Sequence, residues 1–449
     1  MNRQELRTSI AVGLLYLIRM MGLFMVIPVL PLAGDEFKLS TTLLIGFAIG
    51  IHGLTQGLFQ IPLGMLSDRV GRKKIIAVGL VLFTIGSSVA ALAENVYWLI
   101  IGRALQGCGA IASTLLALVS DLTRLEQRTK SMALIGAAIA SSFGLALLIG
   151  PILFNLYGAR SIFVFSAVSG LIGLWILFTI IPSPLIHSQN LDVKFQLMDA
   201  KRAVSSFSLW RLNISTFILH YLLISGFCAF PILFDSTNQI QRDHHSYYYL
   251  LLLLASLIFI SPLIYFSDRI SNTKIVILTM IGLCILSCFL LSQTQSFYSV
   301  LFGVGLFFSA FNLLETMLPS EVGRIAPAGL RGTFIGFFMA SQFLGFFFGG
   351  IIGGWVLMHS DISSLMLVNM LVGLAWFILI LGTPGSKNLG SRVIQLNGFS
   401  EKPAKEVLKE LLSARGVKDV VLIEEEQVAY LKVDQEQFDD SDWGVIAHK

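Results

Sequence analysis

The chain has 449 residues, 55% of them hydrophobic and only 13% charged, with a formal net charge of +4. Globular chains carry roughly 25% charged residues, so an ordinary water-soluble protein is excluded. The small basic excess suits loops that face anionic lipid and gives little support to nucleic-acid binding.

A helix that crosses a bilayer needs about 20 predominantly apolar residues. The first such run is 9–32, preceded by Arg3 and Arg7 in the manner of a secretory signal. Arg19 interrupts it and no clear small-residue cleavage site precedes Asp35, so it reads as an uncleaved first span. Eleven more follow at 42–63, 75–93, 96–119, 131–155, 161–181, 212–234, 247–266, 275–292, 297–319, 333–357 and 363–382. Glycine interrupts many of them, as close helix packing in a membrane allows. Cys108, Cys228, Cys284 and Cys288 all lie in apolar runs and read as small buried hydrophobes, so neither disulfides nor a metal site is expected.

With the N-terminus inside, 17 Lys and Arg of residues 1–386 fall on the cytoplasmic side and three (Lys38, Arg160, Arg242) on the other. The positive-inside bias therefore places both termini in the cytoplasm. The longest internal connection, 182–211, divides the spans six and six, giving an N-terminal bundle (1–181) and a C-terminal bundle (212–386). The halves match at an offset of 200: Pro62 with Pro262, Asp68 with Asp268, Arg69 with Arg269 and Lys74 with Lys274. The expected fold class is an all-α membrane protein of twelve transmembrane helices in two parallel six-helix repeats, an architecture used by transporters.

The densest positive cluster, "GMLSDRVGRKK" at 64–74, joins spans 2 and 3. Orientation alone explains Arg69, Lys73 and Lys74. It does not explain Asp68, whose carboxylate at a helix end calls for a partner, nor Gly64 and Gly71, which permit close approach and a tight turn. With Arg72 these residues read as a structural gate.

Gly64-x-x-x-Asp68-Arg69-x-Gly71-Arg72-Lys73 resembles the signature loop of the major facilitator superfamily at every defining position. "GRALQGCGA", with Arg103 and Gln106, resembles that family's span 4 signature. "SDLTRLEQRTKSMALIG" and "AFNLLETMLPS" look like the YajR-like transporters within it. The resemblance implies a charge network of Asp68, Arg72 and Asp121 that holds the outward-open state, and a role for Arg103 in proton coupling. It also implies a kink at Gly150 and Pro151, the glycine-proline element of proton-coupled antiporters. That element is partial here, because Phe154 and Asn155 stand where its trailing glycines usually do. In the second half Gly71 and Arg72 become Ser271 and Asn272, which implies a weaker latch.

Charged groups inside spans are functional candidates by default. Arg19 could instead be an internal pair that positions helices. Glu315 is the only acid well inside a span, and burial favours its protonated form, as a proton carrier needs. His52 and His220 are candidate relays or hydrogen-bonded packing; Gln56, Gln60, Asn312 and Gln342 could line a cavity or bridge helices.

Residues 387–449 are charge-rich, with 9 basic and 12 acidic side chains. Strands are expected at 392–396, 417–423 and 427–433, a helix at 403–414, and a short helix and last strand at 435–440 and 444–447. This order suggests a small cytoplasmic α+β ferredoxin-like domain. It resembles heavy-metal-associated domains, but "NGFSEKPAK" lacks their cysteine pair, so no metal is expected.

The expected function is a proton-coupled secondary transporter, most simply a drug or metabolite/proton antiporter working by alternating access in a bacterial inner membrane. Its partners are a small molecule, protons and the bilayer, without cofactor or enzymatic activity. A symporter, a uniporter or a membrane sensor with a regulatory tail are the alternatives.

Overall fold

The computed structural model describes residues 1–124, 127–182, 207–237, 239–265, 273–293, 296–326, 331–382, 389–395, 404–423, 428–434 and 437–438. The first half holds α1 (Arg3–Phe24), α2 (Thr42–Val70), α3 (Arg72–Ala91), α4 (Val96–Cys108), α5 (Ala112–Leu122), α6 (Arg128–Tyr157) and α7 (Arg160–Thr179). The second holds α8 (Phe207–Ser236), α9 (His245–Tyr265), α10 (Thr273–Gln293), α11 (Phe297–Ile325), α12 (Arg331–His359) and α13 (Ile362–Leu381). Taking α4 and α5 as one span, 12 segments among the described residues are long and apolar enough to cross a membrane.

Two spans depart from their expected form. The first helix begins earlier than residue 9 and ends before residue 32. Asn2 and Glu5 form a reciprocal cap at its start, each side chain accepting from the other's backbone N–H at 2.7 Å. Pro28 and Pro31 lack the N–H that a continuing helix needs, and the chain runs on in turns and a short 3-10 segment at Leu30–Leu32. Span 4 breaks between Cys108 and Ala112, because Gly109 is wedged against the Gly79 backbone. The break frees polar backbone groups in an apolar setting; α1 satisfies one, the Gly109 carbonyl, and adds a bond to the first carbonyl of α5. Arg19 Nε donates to the Gly109 carbonyl at 3.0 Å, and the Tyr16 hydroxyl donates to the Ala112 carbonyl at 2.7 Å.

The same packing order recurs in both halves. The first span lies on the fifth (α1 on α6, α8 on α12), and the second on the fourth (α2 on α4, α9 on α11). The third lies on the sixth (α3 on α7, α10 on α13). The halves meet chiefly through α2 against α12, where Gly46, Gly50 and Gly53 form one stripe. A Cβ on Gly50 would stand 2.7 Å from the Phe347 carbonyl oxygen, so the two backbones touch with no side chain between them. On its other side α12 presents Gly345, Gly349 and Gly353 to α8. Pro151 lies inside an uninterrupted α6, and Gly150 lets that helix approach the Met25 backbone, where an added Cβ would meet the carbonyl oxygen at 3.0 Å.

Past α13, strands β1 (Leu389–Gln395), β2 (Val417–Ile423) and β3 (Val428–Asp434) form an antiparallel sheet in the order β1-β3-β2. Helix α14 (Ala404–Ser413) connects β1 to β2. Ile394, Val407, Leu411, Val420, Ala429, Leu431 and Val433 bury into one small core of their own. Gly416, at φ +83°, turns the chain from α14 into β2. Apart from 437–438, the expected last helix and strand lie outside the described residues.

Candidate functional site

Three groups of polar side chains stand out against the apolar core. The first is at the 64–74 loop, on what is called here the loop face. Helix α2 ends at Val70 and α3 begins at Arg72, leaving only Gly71 to reverse the chain at φ 108°, a conformation that a side chain would strain. The turn brings Arg72 back over Asp68, and the two side chains form an ion pair. Arg72 Nε also holds Asp121 of α5 at 3.2 Å, and its Nη1 donates to Ser67 Oγ at 2.7 Å. An acid in the last turn of a helix opposes the helix dipole, and Arg72 offsets that cost. The three charged residues thus come together across α2, α3 and α5. Gly64 lies against Ser113 of α5, where an added Cβ would stand 3.1 Å from the hydroxyl. Arg69 and Lys74 are exposed.

Lys73 has more than a topological role, which corrects its reading as an orientation charge. Its Nζ donates to the Ile181 carbonyl just past the C-terminus of α7, at 2.7 Å. Lys274 does the same to Leu381, at the end of α13, at 2.9 Å. The repeat therefore pairs Lys73, and not Lys74, with Lys274, because α3 and α10 start 201 residues apart. Cations at helix C-termini are favourable, so each contact ties the third span of its half to the sixth. Asp268, Arg269, Ser271 and Asn272 lie outside the described residues.

The second group is buried inside the N-terminal half. Arg19 Nη2 donates to Gln56 Oε1 at 3.3 Å, and its guanidinium lies over the Phe83 ring at 5.7 Å. Arg103 Nε donates to the Ala48 carbonyl at 3.2 Å, and its Nη1 donates to Gln106 Oε1 at 2.7 Å. Gln106 in turn donates to Ser87 Oγ at 2.7 Å. His52 and Gln60 are buried beside these groups on α2. Among the described residues neither arginine pairs with a carboxylate, so the ion-pair alternative for Arg19 is not what the structure shows.

The third group unites two candidates 95 positions apart: His220 of α8 and Glu315 of α11 face each other, Nε2 to Oε2, at 3.2 Å. His220 is 2% exposed and Glu315 39% exposed, so the carboxyl is not the buried group its span suggested: it has an open side and the imidazole does not. His220 Nδ1 lies 2.9 Å from the Thr216 carbonyl oxygen, which can only accept. The Thr216 hydroxyl, 3.3 Å away, can instead donate to the same nitrogen; with the hydrogen on Nδ1 toward the carbonyl, Nε2 and Oε2 are left to share one proton.

Aromatic rings surround this pair, a feature that counting phenylalanines could not find. His220 meets Phe311 and Phe346 edge-on, at 5.8 and 5.1 Å between centroids. Phe143 of α6 contacts Phe24 of α1 at 5.1 Å, and Phe227, Phe308 and Phe311 of the other half at 6.4–6.5 Å. Asn312 bridges helices, donating to Ser256 of α9 at 2.7 Å, and Gln342 is half-buried on α12. Farther toward the opposite face, Asn155 donates to the Arg242 carbonyl at 3.0 Å, joining the halves there. At the loop face sequence reasoning also missed Glu5, 4% exposed, which receives Arg124 Nε at 2.9 Å. The capping pattern Asn2-x-x-Glu5 was its only local signal.

Comparison with known proteins agrees with this construction. The model of the Major Facilitator Superfamily matches residues 12–252 and 246–423. The inner membrane transport protein YajR of Escherichia coli (strain K12) is 36% identical over 441 residues, covering 97% of this chain and 95% of the relative. Multidrug resistance protein 1 of Bacillus subtilis (strain 168) is 26% identical over 368 residues, covering 79% of this chain and 90% of the relative. The inward-open xylose transporter XylE of E. coli shares the fold at a TM-score of 0.65 and 16% identity, covering 85% of this chain and 97% of that one. The chain belongs to the Major Facilitator Superfamily of membrane transporters, and resembles YajR along almost its whole length.

Proposed function

We propose that the protein is a proton-coupled antiporter of a bacterial inner membrane, exporting amphipathic aromatic compounds by alternating access. The observation that carries this reading is the His220–Glu315 contact at 3.2 Å, with the carboxyl side open and the imidazole side closed. A proton shared by two groups can be released or taken up when one of them changes its surroundings. The Phe143–Phe227–Phe308–Phe311 cluster beside it joins the two halves with rings, and rings are what an aromatic cargo stacks on. The kinship with a multidrug resistance protein supports the choice of cargo class.

On this reading the loop face is cytoplasmic, as the 17-to-3 distribution of basic residues supports. Contacts such as Asn155 on Arg242, and Gly144 against Leu253, then close the periplasmic side. The Asp68–Arg72–Asp121 network is formed with the periplasmic side closed, which departs from the expectation that it holds the outward-open state, and it lies wholly within the N-terminal half. Its role is to keep α2, α3 and α5 moving as one body. Residues 387–449 are read as a soluble ferredoxin-like domain. Strand order β1-β3-β2 with a helix between β1 and β2 is the first part of that fold.

The test is flux in proteoliposomes under an imposed pH gradient, with an aromatic amphipathic cation such as ethidium as the probe. Uphill movement of the probe against inward proton flow is expected. Saturable probe binding without flux would replace the antiporter with a membrane sensor.

A further inference from the structure

Among the described residues, the two arginines buried in the N-terminal half are left without a counter-charge, and the groups around them are short of acceptors. Arg19 and Arg103 are 2% and 0% exposed, and among the described residues their acceptors are backbone carbonyls and the side-chain oxygens of Gln56 and Gln106. Among the described residues Arg19 Nη1, Arg103 Nη2 and Gln56 Nε2 have no acceptor, and both ring nitrogens of His52 are unpartnered. All of these residues are at least nine-tenths buried.

Their placement is ordered along α2. Arg103 bonds the Ala48 carbonyl and Arg19 bonds the Gln56 side chain, and His52 stands one turn from each on the same face. Helix α1 closes the group from the other side, because Arg103 Nη1 also reaches the Gly22 carbonyl, three residues from Arg19, at 3.5 Å. Carbonyl dipoles satisfy single N–H groups but do not neutralise two guanidinium charges in an apolar surround. Water could occupy the free donors, yet it too leaves both charges in place. A small anion supplies charge and acceptor capacity together.

We propose that this layer is an anion site: one small anionic group, a free halide or the carboxylate of a carried molecule, is held by Arg19 and Arg103 against His52 and Gln56. The site is independent of the His220–Glu315 pair, which lies in the other half, so failure of one reading leaves the other standing.

The experiment uses the purified full-length chain in detergent, followed by thermal unfolding at constant ionic strength. Sodium chloride and sodium acetate are each titrated against the sodium salt of a bulky sulfonate. A saturable rise in melting temperature with chloride supports a halide site, and a rise with acetate alone supports a carboxylate site. Equal curves in all three salts for the wild-type chain overturn the proposal, whatever the variants do. In Arg19→Gln the half-saturating concentration should rise at least about tenfold, the loss expected from one charge-assisted hydrogen bond. Arg19→Lys, which keeps the charge and is the milder change, should fall between the two. An Arg19→Gln chain that folds and titrates like wild type also overturns it.

Discussion

Asp121→Asn is the perturbation whose cost can be worked most directly from the geometry. Arg72 Nε and Asp121 Oδ2 are 3.2 Å apart, with side chains 13% and 12% exposed. At an effective dielectric of roughly 20, two unit charges at that distance attract by about 5 kcal/mol, before desolvation is subtracted. Removing one partner of a buried pair costs about 3–5 kcal/mol when the other is left alone. Here Arg72 keeps Asp68 and Ser67, so the expected loss is smaller, about 2–3 kcal/mol by the same reasoning. The assay is unfolding of the purified chain by titration of a denaturing detergent, run as a double-mutant cycle with Arg72→Gln. A coupling energy of about 1.5–3 kcal/mol is expected, within the range seen for groups in one network. A coupling below about 0.5 kcal/mol, the value of an exposed surface pair, would refute the idea that this network braces α2, α3 and α5.

Two further predictions follow from packing and capping. Gly50→Val would place its Cβ 2.7 Å from the Phe347 carbonyl oxygen and 3.0 Å from the Phe347 Cα, forcing α2 and α12 apart. A loss of about 1–3 kcal/mol and reduced flux are expected, and unchanged stability and flux would show that the halves do not depend on this contact. Asp361 caps α13, accepting from the Ser364 N–H at 2.8 Å, and its contacts with Ser364 hold its carboxyl below the usual carboxylate range. Because its folded pKa is depressed, its contribution is present above the unfolded carboxyl pKa and fades as pH falls through the folded value. The melting-temperature gap between wild type and Asp361→Asn should therefore be constant at neutral pH and close in acid; a gap independent of pH would contradict the cap.

The spans and the loop-face network were legible because their signals are local or repeated. Hydropathy marks an apolar run, and Asp68, Gly71 and Arg72 sit within five residues of one another. The break in span 4 was not legible, since "GCGAIA" is as apolar as its neighbours and only the Gly79–Gly109 backbone contact disrupts the helix. The pairing of His220 with Glu315 had no sequence signal either; each was a lone titratable group in its own span. It depends on how α8 and α11 turn toward each other, which is decided by packing against α12 and α9. The same holds for Arg19, whose function as a donor to a broken helix exists only once span 4 has folded.

The proposed proton coupling in this protein rests on the proton shared between His220 and Glu315. The most direct measurement is probe accumulation in proteoliposomes across an imposed pH gradient, wild type against Glu315→Gln. An amide cannot exchange that proton, so Glu315→Gln should keep downhill movement of the probe and lose gradient-driven accumulation. Accumulation that still follows the pH gradient in Glu315→Gln would contradict the account.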